Sequence, residues 1–479
     1  MQYSKANAPF IIPCLDRGPV VVVPPKQLKQ VYSLPLSSLE VYVTQHETIQ
    51  SRYTISDQRI IKNTLQISVI RNQMTRNLEH LTPLIATELA EGFKQWWGND
   101  DKEWRELRIW DSCLKLIAGA ANGAFCGPPL CRNPEFLTSL RDHAMAVFVG
   151  AMIIGATPSL IRPVIGALVG WLCEFRFQQT LKICLPFVEE RLANTVRAKA
   201  DPTFSWAPPK DGLQWIIDES RGTGDPTDLD PVRVTRRLLY VNDISLHSTS
   251  YTVQNIILDL YNAADSRSLV GALREECSRV LEEAGGSWTR DAVQNLKLVD
   301  ATIRESMRLT PFASIGLPRT VMHPEGICME SPTGKVWIPR GTVIAAPMDP
   351  IHRDGSIYPD ANRFNPYRFF QEGGVRNIFD RFVGEQSSGA SKDDDKAAET
   401  RGAKSAVSLD DAFLGFGFGK HACPGRFFAL NEMKMFLAYI VLNYDVECLD
   451  RRPELTNVIW LKVPYNDSRV RVRKISTVP

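Results

Sequence analysis

Phe416-Gly-Phe-Gly-Lys-His-Ala-Cys-Pro-Gly425 is the most informative stretch of this sequence. Glycines at 415, 417 and 419 precede the cysteine, so this loop can turn sharply and bring its backbone close to a flat ligand. Pro424 stands before a strongly helical run that starts at Arg426, and proline is favoured at a first helical position. Cys423 is therefore expected at a helix N-terminus, where free N–H groups lower the pKa of a thiol and favour the metal-binding thiolate.

Other interpretations of this loop remain open from the residues alone. A glycine-rich loop before a helix can hold a phosphate, although no Walker lysine-serine pair and no adjoining strand–helix unit accompany it. A buried loop cysteine can also be inert. The other nine of the ten cysteines are scattered, without Cys-x-x-Cys or His-Glu-x-x-His motifs, so neither zinc nor a disulfide framework is indicated. We expect them to be small core residues in a reducing compartment.

Outward from this loop, the pattern predicts a mainly α fold with a minor β part. Apolar residues at three- and four-residue spacing predict helices over 81–97, 104–119, 175–200, 232–264, 266–283, 292–309 and from about 423 to 443. Branched residues bounded by glycine or proline predict strands at 10–13, 19–23 and 469–473. No linker divides the chain, so we expect a single large domain over 1–479. The polar, low-complexity segment 384–405 is expected to be a flexible surface excursion.

Composition excludes some partners and leaves the relation to a membrane open. Hydrophobic residues make up 44% and charged residues 23%, as in a globular protein with a large core. A net charge of +2 is not the strong excess of positive charge that is typical of nucleic-acid-binding proteins, so no nucleic-acid partner is expected. The N-terminus carries no recognisable secretion signal. Residues 144–173 are apolar but interrupted by Pro158 and Pro163, so they can form a span, buried core helices, or an apolar surface that lies on a membrane.

The glycine-rich cysteine loop resembles the haem-binding signature of the cytochrome P450 family. Its matching residues stand in register, and the signature is long and rarely arises by chance. Phe125-Cys-Gly-Pro-Pro-Leu-Cys-Arg-Asn133 adds a likeness to members from filamentous fungi, and the resemblance covers nearly the whole chain. It implies a single haem-thiolate monooxygenase fold, with haem b between a distal long helix and a proximal cysteine loop. The residues that it implies as cofactor contacts are Cys423, which ligates the iron, with His421, Arg319, Phe416, Gly417 and Gly425.

Three charged residues match the structural triad of this family. Glu305 and Arg308 lie three apart, so they share one face of the predicted helix and can pair. The resemblance implies that Arg368, in Phe364-Asn-Pro-Tyr-Arg-Phe369, joins them and that the triad pins the segment under the haem. It also implies that Arg319 and His421 meet the haem propionates. Without the resemblance, Glu305 and Arg308 would be a solvated surface pair, and the other two would be ordinary loop residues.

The predicted long helix contains Ile244-Ser-Leu-His-Ser-Thr249, which resembles the distal helix of the family with two departures. His247 stands where an acid is common, and Ser248 stands where threonine is usual. The resemblance implies that Ser248 faces the iron, while Thr249 or His247 supports a water chain for proton delivery. The alternative is a polar patch on an internal helix. The family positions that imply a substrate pocket are Asn242, Asp243, Leu246, Phe312, Ile315 and Trp460.

The resemblance also implies the reaction. O2 and two electrons, passed from NADPH through a flavin reductase, would oxidise an apolar fungal secondary metabolite such as a terpenoid, alkaloid or aromatic polyketide. Lys420, Arg426 and Lys434 are expected to steer an acidic reductase. Two hypotheses remain beside it: a haem-thiolate enzyme that couples, dimerises or rearranges a substrate radical without inserting oxygen, and a haem-binding sensor or carrier. A membrane permease would rest on 144–173 alone.

The resemblance finally implies a location. Such proteins normally carry an apolar anchor helix before their first β segment, and this sequence starts at that segment, so we expect the anchor to be missing from it. The implied site is the cytosolic face of the endoplasmic reticulum membrane.

Overall fold

The computed structural model describes residues 6–14, 17–370, 405–449, 451–454, 457–458, 460–465 and 467–476. Its helices are α1 (Leu28–Tyr32), α2 (Tyr42–Thr48), α3 (Ser51–Thr54), α4 (Arg59–Lys62), α5 (Leu65–Ser68), α6 (Leu78–Trp96), α7 (Ile109–Phe125), α8 (Pro134–Ala156), α9 (Arg162–Ala200), α10 (Gly212–Gly222), α11 (Pro231–Tyr261), α12 (Ser266–Glu283), α13 (Arg290–Asn295), α14 (Lys297–Leu309), α15 (Met348–His352) and α16 (Arg426–Asn443). Its strands are β1 (Phe10–Cys14), β2 (Gly18–Val22), β3 (Leu39–Glu40), β4 (Arg105–Arg108), β5 (Gly316–Val321), β6 (Ile327–Ser331), β7 (Gly334–Ile338), β8 (Val343–Ala346), β9 (Tyr444–Cys448), β10 (Asn457–Val458), β11 (Leu461–Lys462) and β12 (Arg469–Lys474). The prediction of a mainly α fold with a minor β part is confirmed.

Two differences from the predicted helices have identifiable causes. Residues 105–108 form a strand and not the start of a helix, because they pair with β12, more than 350 residues along the chain. Helix α9 begins at Arg162, well before the predicted start, with Pro163 in its first turn, where proline is tolerated. The predicted excursion 384–405 lies outside the described residues except for Ser405, whose hydroxyl donates to Asp300 at 2.7 Å.

One large core joins the two helices expected to flank a cofactor. Helix α11 is 31 residues long, is buried along most of its length, and packs against α7, α8, α9, α14 and α16. Helix α16, which follows the cysteine loop, is buried on nearly every side and belongs to the same core cluster. Because this interior is close-packed, it fixes the cysteine loop relative to the middle of α11.

The main sheet packs against the segment that leads into the cysteine loop. Its strand order is β1-β2-β8-β5-β3, with β2 and β8 parallel and the remaining pairs antiparallel. Strand β5 is irregular between Gly316 and Arg319, and Leu317 there has φ +56°. Leu414, just before the cysteine loop, is buried in the core of this sheet. The sheet and the loop are therefore packed together.

Candidate functional site

The cysteine loop folds back on itself through its backbone. The N–H of Cys423 donates to the carbonyl of Phe416 at 2.8 Å, and the N–H of Gly417 donates to that of Leu414 at 2.9 Å. Gly417 and Gly419 have φ of +87° and +67°, a left-handed conformation that favours glycine. The loop therefore needs its glycines, and it presents the cysteine three residues before the first helical residue of α16.

The thiol of Cys423 differs from the prediction in its acidity. Burial raises its pKa, and this outweighs the opposing effects of the Gly425 N–H and of the Arg426 charge. The predicted lowering by the helix N-terminus is therefore wrong for the protein alone, because desolvation is the larger effect. A coordinated metal cation would deprotonate such a thiol outright. Cys423 is half-buried, whereas most of the other cysteines are fully buried.

Positive charge collects beside this loop. The pKa of His421 is lowered by burial and by the charges of Arg319, Arg71 and Lys420, and Glu40 alone opposes them. Arg319 is 5% exposed, donates to the carbonyl of Pro318 at 2.8 Å, and makes no ion pair in the described part of the chain. Burial lowers the pKa of its guanidinium.

Such a cluster is suited to an anionic ligand. A buried guanidinium without a carboxylate partner is costly, so this arrangement fits a group that brings its own carboxylates. The two propionates of a haem meet that requirement. The residues present therefore fit the cofactor that the sequence resemblance implies.

The structure brings the three predicted triad residues into one network. Both side chains of the Glu305–Arg308 pair are fully buried, with contacts of 2.7 and 2.8 Å. Arg368 donates from Nε to Glu305 Oε1 at 3.0 Å. Arg308 also donates to the backbone carbonyls of Ala361 and His352. The network thus ties α14 to residues 352–368.

His352 extends this network to the cysteine loop. Its Nε2 accepts a hydrogen bond from the N–H of Leu414 at 2.9 Å, and its ring stacks on Phe413 at 5.6 Å. Because burial lowers the pKa of this histidine to about 3, the ring stays neutral and can accept that bond. His352, the last residue of α15, was not predicted, since a single histidine outside a motif carries no local signal.

A single accessible stripe runs along the middle of α11. Ser248 is exposed, Ile244, Ser245 and Thr252 are partly exposed, and the other residues from 241 to 260 are buried. The Ser248 hydroxyl donates to the carbonyls of Ile244 and Ser245 at 3.2 Å, and Thr252 donates to that of Ser248 at 2.9 Å. Thr252 was not among the predicted site residues, although its spacing of four from Ser248 places it on the same face.

His247 and Thr249 lie off this stripe. The ring of His247 sits between Trp110 at 6.3 Å and Phe148 at 5.5 Å, and its Nε2 is enclosed without a partner in the described residues. Burial lowers the pKa of His247 to about 4, so it is neutral near pH 7. Thr249 is 6% exposed. Of the predicted catalytic residues, the structure places Ser248 alone on the accessible face.

The six predicted pocket residues do not share one surface. Asn242 accepts a hydrogen bond from Asn122 of α7 at 2.8 Å, and Leu246 is buried, so both point into the core. They are rotated from Ser248 by about 120° and 160° around the helix axis. Asp243 instead pairs with His143 of α8. The predicted pocket residues of α11 lie on different sides because successive helical residues are rotated by about 100°. The match to the family pattern does not say which side each residue faces.

The remaining pocket residues lie near the sheet. Phe312 is 40% exposed and meets Tyr251 of α11 edge-on at 5.6 Å. Ile315 and Trp460 line a small apolar cavity beside the β1–β2 hairpin, where Arg17 lies over the Trp460 ring at 4.7 Å. Of these three residues, only Phe312 contacts a residue next to the accessible stripe, because Tyr251 directly precedes Thr252.

The basic residues expected to bind a reductase differ in their exposure to solvent. Lys434 is buried and pairs with Asp300 at 2.9 Å, so the prediction that it steers a partner is wrong. A buried lysine whose charge is balanced by a carboxylate creates no electrostatic field at the surface, so it does not attract an acidic partner. Lys420 is exposed, and Arg426 is half-buried and donates to the carbonyl of Cys423 at 3.1 Å.

The turn between α8 and α9 carries a cluster of exposed apolar side chains. Helix α8 is long and apolar enough to cross a membrane by length and hydropathy, and 39% of an 18-residue stretch of it is buried inside the protein. The residues that are exposed around this turn are Met145, Val149, Ile153, Leu160, Ile161, Val164, Leu168, Trp171, Leu172 and Phe175. We call this set the α8–α9 apolar surface.

Comparisons with known proteins agree with the geometry. A family model described as cytochrome P450 matches residues 178–468. The chain is 43% identical to cytochrome P450 monooxygenase okaG of Penicillium ochrochloron, over 99% of this chain and 88% of that protein. It is 32% identical to cytochrome P450 monooxygenase gloP of Glarea lozoyensis, over 98% and 84%. The solved structure of retinoic acid-bound cyanobacterial CYP120A1 aligns with a TM-score of 0.63 at 16% identity, covering 95% of this chain and 89% of that one, which supports the fold alone.

Proposed function

This chain belongs to the cytochrome P450 family and is a haem monooxygenase, and we propose that it oxidises an apolar fungal secondary metabolite with electrons relayed from NADPH by a flavin reductase. The observation that carries the proposal is the joint packing of α11 and α16, which holds the Cys423 loop and the Ser248 stripe in one core. The relatives are monooxygenases of fungi, which is consistent with a fungal substrate. A terpenoid, an alkaloid or an aromatic polyketide is the substrate class proposed.

The proposed roles of the residues follow from their surroundings. Cys423 would ligate the haem iron, and Arg319 and His421 would hold the carboxylates of the haem. When bound, the haem supplies activation of dioxygen and the oxidation itself. The Glu305 network keeps the cysteine loop in place through Arg308 and His352. The buried apolar walls around α11 exclude water, while Ser248 can hold a water molecule and pass on its proton.

The test of this function is reconstitution. The purified protein, loaded with haem and mixed with a flavin reductase, should consume NADPH faster when a substrate is added, and the product should gain the mass of one oxygen atom. Difference spectra across a panel of fungal terpenoids, alkaloids and polyketides would identify the substrate beforehand. Substrate loss that needs neither NADPH nor reductase would refute the proposal.

A second candidate is oxidative coupling or rearrangement without oxygen insertion. It is favoured by one observation: the position at which an acid is common holds His247, which is buried, neutral and without a partner in the described residues. Proton supply along the accessible stripe of this helix then depends on the hydroxyl groups of Ser245, Ser248 and Thr252. A product that has lost two hydrogens, or that is a dimer, would favour coupling over monooxygenation.

Ser248→Ala is expected to uncouple the reaction. The variant should bind haem and substrate normally, because Ser248 is exposed and its hydroxyl donates only to carbonyls of its own helix. Product formed per NADPH should fall by about tenfold or more, since a positioned proton donor contributes at least that much. The missing product should appear as hydrogen peroxide.

Two further variants control this experiment. Ser248→Thr keeps the hydroxyl and should stay coupled, and Thr249→Val changes a buried residue off the stripe and should also stay coupled. Wild-type coupling in Ser248→Ala, with coupling lost in Thr249→Val, would instead make Thr249 the proton relay.

The α8–α9 apolar surface is proposed to rest on the cytosolic face of the endoplasmic reticulum membrane without crossing it. Pro158 and Pro163 interrupt this region, and the helices on either side fold back on each other. Salt or mild detergent should release the chain from membranes. The variant Leu160→Ser/Trp171→Ser should bind vesicles at least about tenfold more weakly, because both side chains are largely exposed.

A matched control is Val196→Ser, which changes an exposed apolar residue at the far end of α9 and should leave vesicle binding unchanged. Protease protection of the loops on both sides of 144–173 would indicate a true span.

A further inference from the structure

A cavity of about 300 Å³ lies at the C-terminal end of α11. Its wall is built from the turn between α11 and α12, from Leu309 at the end of α14, from residues between 353 and 364, and from Arg452. Asp259 of α11 also lines it and follows Ser248 by eleven residues, which corresponds to about 16 Å along a helix. The cavity is therefore distinct from the candidate active site, and its volume suits a small molecule.

Most charged side chains of this wall already have a partner of opposite charge. Arg452 pairs through Nε with Asp259 at 2.9 Å. Arg353 pairs through Nε with Asp349 at 3.2 Å, and its Nη1 donates to Asn362 at 2.9 Å. These two arginines therefore add no net charge to the cavity.

Two charged side chains of the wall have no hydrogen-bond or ion-pair partner among the described residues. Asp265 precedes α12 and makes no side-chain hydrogen bond to its first turn. Arg363 is exposed, and only its backbone carbonyl accepts hydrogen bonds, from Arg308 and Arg368. Asp265 lies close to the segment of Arg363, because burial and then the charge of Asp265 raise the pKa of Tyr367. The cavity therefore offers one free carboxylate and one free guanidinium.

We propose that this cavity binds a small zwitterion with an apolar side chain, such as a free α-amino acid. Arg363 donates to the carboxylate of the ligand, and Asp265 accepts from its ammonium group. Leu309 and Phe364, which also line the cavity, supply apolar surface for the side chain. A simple anion would be repelled by Asp265 and a simple cation by Arg363, so the wall selects for both charges together. This site goes beyond the proposed monooxygenase function and does not rest on it.

The cavity wall shares its backbone with the network that holds the cysteine loop. The carbonyl of Arg363 accepts from Arg308 and Arg368, both at 3.4 Å. Arg353 directly follows His352, whose carbonyl accepts from Arg308. A ligand that binds the folded protein alone stabilises it by mass action. Occupancy of the cavity should therefore raise the unfolding temperature of the haem-loaded protein.

The test compares three probes that differ in one charge: L-leucine, its cationic amide L-leucinamide, and the anionic N-acetyl-L-leucine. Each is titrated into the haem-loaded protein and followed by ligand-observed NMR. Leucine should bind with a Kd of about 1 mM and at least about tenfold more tightly than either other probe, because each lost charge removes a charge-assisted hydrogen bond. The Soret band should not change, since the cysteine loop does not line the cavity.

Two variants assign the charges. Arg363→Gln should abolish the preference for leucine over leucinamide and keep that over N-acetyl-leucine. Asp265→Asn, which retains a residue favoured before a helix, should have the opposite effect. Arg267→Gln changes an exposed arginine of α12 outside the wall and should keep both preferences.

Several results would overturn the proposal. The first is leucine binding no more tightly than the two other probes, and the second is unchanged preferences in Arg363→Gln and Asp265→Asn. A leucine-induced shift of the Soret band would place the ligand beside the haem instead. An equal rise in unfolding temperature with leucine in the wild type and in Arg363→Gln would show that leucine acts elsewhere.

Discussion

Cys423→Ala is expected to lose the Soret band that is diagnostic of thiolate ligation in the reduced, carbon monoxide-bound protein. Alanine offers no ligand, and the loop has no other sulfur to replace it. The loop itself should persist, because its hydrogen bonds from the N–H groups of Cys423 and Gly417 are made by the backbone. The band is measured at equal protein concentration, together with the haem content.

The remaining cysteines are the controls. Each of the other nine should tolerate replacement singly and keep the band. Cys328→Ala is the closest match, since Cys328 is also half-buried and lies in β6, on the sheet side of the molecule. An intact thiolate band in Cys423→Ala, or its loss in Cys328→Ala, would contradict the proposal that Cys423 ligates the iron.

Glu305→Gln and Arg308→Leu are each expected to yield little or no haem-containing protein. Both partners are fully buried, so removing one charge leaves the other uncompensated, at a cost of about 3–5 kcal/mol. Each change also disturbs the anchoring of residues 352–368, because Arg308 donates to carbonyls there and Glu305 accepts the N–H of Asn365 at 2.9 Å. Haem bound per protein chain and the thermal unfolding temperature measure the effect.

An exposed pair of the same type serves as the control. Arg279 and Glu283 lie on α12 with their side chains more than half exposed and 3.0 Å apart. Glu283→Gln should change the free energy of unfolding by less than about 1 kcal/mol and leave haem content normal, as surface ion pairs contribute little. Normal haem content in both Glu305→Gln and Arg308→Leu would mean that the triad does not hold the cysteine loop.

Much of the fold could be predicted because its signals are local. Helical spacing of apolar residues placed α11, α12 and α16 within a few residues of their observed bounds. Residues 105–108 were predicted to be helical, but they form β4 because they pair with β12. No local sequence pattern indicates that pairing. Ser248 lies on the accessible stripe, at the position that the family pattern pointed to. Which residues share one face of a helix follows from their spacing, so this too is a local property.

What stayed beyond prediction depended on contacts between distant residues. Lys434 was expected at the surface, yet Asp300 of α14 neutralises it inside the core. Asn242 and Leu246 were expected in the pocket, but α7 lies against that side of α11. The pairing of Asp243 with His143, a hundred residues away, had no sequence signal. In each case the partner across the core decides what a side chain can do.

The sequence by itself determined the family and the mainly α architecture, and it predicted the cysteine that would bind iron and the glycines that let its loop turn. These properties reside in short motifs and in periodic patterns, which are complete within a few tens of residues. Only the tertiary structure decided that burial raises the pKa of the Cys423 thiol, that His247 is neutral, and which face of α11 is open. Desolvation and charge pairing are set by all the elements that pack around a group, so they exist only once the chain has folded.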